Sequence, residues 1–287
     1  MAGFFRELWN DKVLQALIRK MQEKQYIVNT ITDYTPFTSG AKASGYNGPL
    51  LDGLTVQSFP VTTPDDPSRG AISFSFNQKR GVVFTVSDID LAQSDVNQID
   101  ELADQAAELI LDDYDAFILK SMIADLSATS GFKNTIADTT NSKITFADFL
   151  DAKKKLDLQK APRRSRTCAI HPLFEGDLYQ IPEFISRDKI ADTNAIKEGV
   201  IGRILGFDVI STANLPLVKS SWAAEAGATL PVSLFYSSAA FGFGRQKEME
   251  TKSSPDAKVP GDTIAIYSVY GGTTQKDNYM IAYRKDK

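Results

Sequence analysis

The chain is poor in the residues that carry chemistry: one cysteine and one histidine among 287 residues. A single cysteine, Cys168, excludes an intrachain disulfide and fits a protein made in a reducing compartment. With only His171 beside it, a zinc site would need carboxylates almost exclusively, which is uncommon. No apolar run approaches the roughly 18 residues that span a bilayer. Met1 to Asn10 lack the apolar stretch and small-residue cleavage site of a secretory signal. A basic excess is missing too. The net charge of -4 argues against nucleic acid as a tight, specific partner. No sequence repeat is visible, so solenoid architectures are excluded. Neither a membrane, a metal nor a cofactor is expected.

The rest is ordinary for a folded protein, with enough length and apolar content for one large or two modest cores. From about residue 4 to 28, Leu8, Val13, Leu14, Leu17, Ile18 and Met21 recur at three- and four-residue steps, the pattern of an amphipathic helix. Thr30 to Gly53 turns polar and glycine-rich and predicts an extended arm with little core of its own. Two alternating runs, Leu54 to Val61 and Ile72 to Phe76, flank the turn-rich Pro64 to Gly70 and predict a long hairpin whose arms continue through Val82 to Val86. An isolated two-stranded hairpin is marginal in water, so a neighbour must cover it.

The strongest element follows. Asp95 and Gln98 resemble a capping box opening a helix to about Leu126, roughly 48 Å long at 1.5 Å per residue. Val96, Ile99, Leu102, Ala103, Ala106, Leu109, Ile110, Phe117 and Ile118 mark its expected buried face. Its polar face holds Asp100, Glu101, Asp104, Glu108, Asp112, Asp113, Asp115 and Asp125 against Lys120 alone. Thr145 and Asp148 cap a second helix, with Phe146, Phe149, Leu150 and Leu156 on its inner side, ending before Pro162. A basic run, Lys153 to Arg166, leads into a buried strand, Thr167 to Ile170. Pro172 to Tyr179 begins a short helix, Gly199 to Ser211 forms a strand pair, and the tail from Val232 is strand-rich. The fold class is α+β.

Candidate chemistry is thin. Cys168 and His171 lie three apart on or beside a strand, where they point to opposite faces and do not meet. Gly199, Gly202 and Gly206 match neither the dinucleotide nor the Walker pattern and lack a long helix behind them. The acidic helix has no calcium-loop spacing. Lys153, Lys154, Lys155, Arg163 and Arg164 are candidates for weak, sequence-blind contact with DNA phosphates, or for a solvated helix face. No motif requires catalysis.

Three stretches carry a family resemblance. They are Ala169-Ile170-His171-Pro172, then Gly199-Val200-Ile201-Gly202-Arg203-Ile204-Leu205-Gly206-Phe207-Asp208-Val209 with Leu215-Pro216, then Gly261-Asp262-Thr263-Ile264 with Tyr270-Gly271-Gly272. Taken with the order arm, hairpin, spine helix, central segment and strand-rich tail, the chain resembles the major capsid protein of tailed bacteriophages, with the Hong Kong 97 (HK97-like) fold. The resemblance implies an N-terminal arm at 1–50, an E-loop hairpin at 51–87, a P domain with the spine helix at 88–144, an A domain at 145–229 and returning P-domain strands at 230–287.

It also implies the function: copies of the chain, in pentamers and hexamers, close an icosahedral shell around packaged double-stranded DNA. Leu14, Leu17, Ile18, Phe59, Phe74 and Phe76 are the expected intersubunit contacts. The expected partners are sister copies, a portal protein, a separate scaffolding protein and, in some relatives, a decoration protein. Some relatives cross-link through an E-loop lysine; the tip here offers Arg69 and no lysine, so no cross-link is expected. With only a short arm before the hairpin, no scaffolding-segment cleavage is expected either. Removal of residues 1–28 should leave soluble subunits that form no stable shells. The competing readings are an encapsulin-like nanocompartment shell and a metal- or nucleotide-dependent enzyme.

Overall fold

The structure is a computed structural model that describes residues 15, 16, 19, 26–38, 45–49, 71–87, 97–128, 134–138, 143–181, 200–219, 227–255 and 261–285. In chain order the strands are β1 (Thr32–Asp33), β2 (Gly45–Pro49), β3 (Ala71–Ser75), β4 (Gln78–Ser87), β5 (Thr135–Asp138), β6 (Arg166–Ile170), β7 (Val200–Ile204), β8 (Phe207–Ser211), β9 (Val232–Ser237), β10 (Phe241–Pro255), β11 (Gly261–Thr274) and β12 (Met280–Lys285). Helix α1 is Asn97–Ala128 and α2 is Phe146–Leu158.

Helix α1 is the axis around which the chain packs. Ala107, Leu111, Tyr114, Ile118, Leu119 and Met122 are fully buried along it. At 3.6 residues per turn Leu109 lies on the side opposite Leu111. It is 57% exposed there, so its expected place on the buried face is corrected. Helix α2 repeats the lesson. Phe149, Ala152 and Leu156 are buried, whereas Leu150 turns outward beside Lys154 and Leu158 and is 50% exposed. The expected cap at Thr145 is present, with Asp148 accepting from the Thr145 backbone N–H at 2.7 Å.

A six-stranded sheet, ordered β5-β12-β9-β6-β8-β7, separates the two helices. Strand side chains alternate faces, and both faces here are covered. Ala169, Leu234, Tyr236, Met280 and Ala282 join the core around α1, while Cys168, Ile170, Phe235, Ile281 and Tyr283 join the core around α2. That is why β6 and β9 are buried along their whole length. The tight β7–β8 turn places both Leu205 and Gly206 at positive φ, +49° and +93°, the geometry of a two-residue hairpin. The sheet draws strands from both sides of the expected boundary at 229/230, since β9 pairs with β6, while β12 pairs with β5 of the segment 88–144.

A second sheet, ordered β1-β10-β11-β4, lies against the other side of α1. Tyr114 packs edge-on to Tyr270 at 4.6 Å between ring centroids and against Phe243 at 5.3 Å, and its hydroxyl donates to Ser268 Oγ at 2.6 Å. Here the hairpin expectation is corrected. Residues 78–87 are not hairpin arms; they pair along their whole length with β11. The described partner of β3 is β2, from the stretch expected to be arm, with Gly45 opposite Ser75 and Pro49 opposite Ala71. Leu54, Phe59 and the expected tip, 64–70, lie outside the described residues.

The arm is corrected as well. Ile27 is fully buried, and Tyr26, Val28 and Ile31 are at most 7% exposed, all within the α1 core. β1 pairs in parallel with β10 at Thr32–Gly242 and Asp33–Phe243. Residues 26–38 are therefore part of the subunit's own body, and removal of 1–28 would damage the subunit as well as any assembly. The physical reason is that Ile27, Val28 and Ile31 are apolar enough to join the nearest core.

Candidate functional site

The arm is held by polar contacts that begin on α1. The Asp115 carboxylate accepts the backbone N–H of Ile27 and of Val28, each at 2.9 Å. The sequence places Asp115 on the polar face of α1, yet it is 2% exposed and buried within its own chain. Burial pushes its pKa up to about 7, against the two N–H donors that favour the charged form, with Asp112 adding a smaller upward push. Further along, Thr30 Oγ1 and the Tyr236 hydroxyl lie 2.5 Å apart, and the Tyr34 backbone N–H donates to the Phe243 carbonyl at 2.7 Å. The Arg245 guanidinium, nearly buried, donates to Thr35 Oγ1 at 3.2 Å and reaches Asp33 at 3.5 Å.

The basic candidates divide into three kinds. Lys154, Arg163 and Arg164 are exposed around the C-terminal end of α2. Lys153 is half-buried. Lys155 turns inward, Nζ donating to the Thr135 carbonyl at 3.4 Å, and burial lowers its pKa. Arg166, from the same run, is buried and structural: it donates to Asp157 at 2.8 Å and to the carbonyls of Pro162 and Ala161. Leu150 and Leu158 flank Lys154 on the outer face, so this corner of the molecule is cationic with an apolar component.

Of the expected intersubunit contacts, Leu14, Leu17, Ile18 and Phe59 lie outside the described residues. Phe74 and Phe76 are corrected. They are 7% and 6% exposed, they stack edge-on at 5.6 Å, and Phe74 also faces Tyr34. Their own chain covers them. The residues that do stand out of the surface were missed by pattern reading: Val83 at 66%, Leu109 at 57%, Leu158 at 73% and Leu173 at 67% exposed. For Leu109 and Leu158 the available signal was helical phase, since each lies two residues, about 200°, from a buried leucine, Leu111 and Leu156.

Among the described residues Cys168 and His171 form no catalytic grouping. Cys168 is buried, with its thiol pKa pushed well up by desolvation, so it stays a neutral, unreactive core group. The His171 Nδ1 accepts the backbone N–H of Leu173 at 3.3 Å and caps the turn Pro172–Phe174. Among the described residues no three His, Cys, Asp or Glu side chains stand close enough to hold a metal ion. No described helix is long and apolar enough to cross a membrane.

A long spine helix between two sheets, with a cationic corner and outward apolar residues, defines a structural subunit of the Hong Kong 97 fold. The chain belongs to the phage capsid protein family: the family model described as "Phage capsid protein" matches residues 75–283. No curated protein matches the sequence. Among solved structures, the chain is similar to the capsid of the cyanophage P-SCSP1u at 17% identity and TM-score 0.64, over 92% of this chain and 89% of that one. It is similar to a structure from Mycobacterium phage Che8 at 18% identity and TM-score 0.59, over 89% of each chain. It is similar also to a virus-like particle from Pyrococcus furiosus at 11% identity and TM-score 0.56, over 95% of this chain and 98% of that one. The protein is thus a structural capsid protein of the virion.

Proposed function

We propose that copies of this chain associate into rings of five and six that close an icosahedral head around double-stranded DNA. The observation that carries the proposal is the phage capsid family match across most of the chain, on the fold that capsid structures share. The role is architectural rather than catalytic, consistent with a core cysteine and a turn-capping histidine. Among the described residues of the arm and hairpin, 26–38 and Phe74 pack within the subunit and do not supply uncovered surface. Assembly instead relies on many individually modest surfaces reinforced by multivalency. Portal and separate scaffolding proteins complete the head, and a decoration protein is an optional addition. DNA contact is weak and sequence-blind, through the exposed Lys154, Arg163 and Arg164 with Lys153 and Lys155 behind them.

A second reading, a nanocompartment shell around a protein cargo, draws on the likeness to the Pyrococcus furiosus virus-like particle. Negative-stain microscopy of particles made with the scaffold, followed by nuclease protection, separates the two. Closed heads holding nuclease-protected DNA support the phage reading. Closed particles holding protein and no DNA support the other, and an absence of closed particles sinks both.

A further inference from the structure

We infer that the outer edge of β4 is an interface between copies, in which β4 of one subunit pairs antiparallel with β4 of a second across a two-fold axis. The inference deepens the shell-subunit reading and rests on it.

An edge strand presents unpaired backbone N–H and C=O groups, and folded proteins guard such edges by shortness, charge, proline or a bulge. Among the described residues the other sheet ends are short: β1 has two residues, β5 four, and β2, β3 and β7 five each. The free part of β10 is long but guarded, with register shifts between Arg245 and Glu250, lysines at 247 and 252, and Pro255 at its end. β4 is different. It runs ten residues at the end of its sheet, and its pairing with β11 continues from Gln78 to Ser87 without a shift. After Lys79 and Arg80, the seven residues Gly81 to Ser87 carry no charge and no proline.

The face beside that edge is smooth and small. Val83 is 66% exposed and lies opposite Ala265, and Thr85 meets Thr263 with their hydroxyl oxygens 3.3 Å apart. Among the described residues no strand lies beyond β4, and an uncharged, regular edge of this length is suited to being covered by another strand. Its partner must be equally long and regular. Among the described residues only β4 itself qualifies, which makes the contact isologous and closed by a two-fold. Orientation follows from charge. Parallel pairing would stack Lys79 on Lys79, whereas antiparallel pairing sends the two Lys79-Arg80 pairs to opposite ends.

Register follows from the pleat. Antiparallel partners must share a face, so the two residue numbers in each pair sum to an even value and the two-fold passes through a residue. Centring on Val83 overlaps 79–87 completely and sets Val83 opposite its own copy. Directly opposed residues in antiparallel strands have Cα atoms about 4.5–5.5 Å apart, within the range a disulfide spans.

The test is Val83→Cys in the full chain, treated with diamide as oxidant, with Lys252→Cys as the exposed control on the same sheet. The native cysteine, Cys168, is buried and does not compete. Covalent dimer from Val83→Cys in large excess over Lys252→Cys supports the pairing. No dimer, or equal dimer from both, overturns it. A second arm uses Val83→Lys with Thr85→Lys: unchanged circular dichroism and melting with lost association supports the pairing, and association equal to wild type overturns it. Wild-type particle formation is scored separately by microscopy. If wild type makes no shells yet Val83→Cys still cross-links, the shell reading fails and the strand pairing stands. If shells form without the cross-link, the pairing fails and the shell reading stands.

Discussion

The carboxylate of Asp115 and the backbone N–H of Ile27 are joined at 2.9 Å across 88 residues of sequence, in the middle of the spine helix. This bond, with its neighbour from Val28, sets where the arm enters the body and makes residues 26–38 a part of the core.

A buried carboxyl with a raised pKa gives a pH signature. The folded pKa of about 7 lies above the ordinary aspartate value of 3.8, so folded Asp115 holds its proton where unfolded Asp115 has lost it. Its stabilising contribution is complete below about pH 4 and is lost as pH rises to about 7, at up to about 1.4 kcal/mol per pH unit. Urea denaturation of wild type and Asp115→Asn at pH 5 and pH 8 checks this. Wild type should weaken relative to the variant as pH rises; a constant difference would refute the linkage.

Two glycines should respond to alanine with opposite sign. At Gly271 an added Cβ would sit 2.2 Å from the Ser75 carbonyl oxygen, a backbone atom, so β3 and β11 must separate. Gly271→Ala should cost about 1–3 kcal/mol. At Gly176, in the helical turn Glu175–Leu178, a Cβ meets nothing within 4 Å. Gly176→Ala should stabilise by about 0.4–1 kcal/mol, mainly by stiffening the unfolded chain. Thermal melts of the two variants would disprove the argument if both moved the same way.

Phe235 sits edge-on between Phe149 at 5.2 Å and Phe207 at 5.4 Å and has no exposed surface. Phe235→Ala should therefore cost about 3–5 kcal/mol, while Leu158→Ala, at 73% exposure, should change stability by less than about 0.5 kcal/mol. Denaturant midpoints decide it. A Leu158→Ala loss close to that of Phe235→Ala would mean the outer face of α2 is covered within the subunit.

For the cationic corner, Lys154→Glu with Arg164→Glu should leave melting unchanged and weaken duplex DNA attraction without regard to sequence. The slope of log affinity against log salt should fall by about 1 for each lost phosphate contact. Titration of labelled duplex at two salt concentrations measures this, and an unchanged slope removes these residues from the DNA-facing surface.

Periodicity and capping are local properties, so α1, α2 with its Thr145 and Asp148 box, the buried strand β6 and the β7–β8 turn were all legible from the sequence. Strand pairing is not local. Residues 72–76 and 82–86 both alternate, yet one run pairs with β2 and the other with β11, and alternation carries no information about the partner. The same limit hid the inward turn of Asp115: a carboxylate on a helix reads as a solvated group unless the donors 87 and 88 residues away are known to arrive there. By itself the sequence determined the element order, the lack of reactive groups and the resemblance to a capsid family. Only the tertiary structure decided which surfaces the chain covers for itself, because burial depends on which distant segments meet.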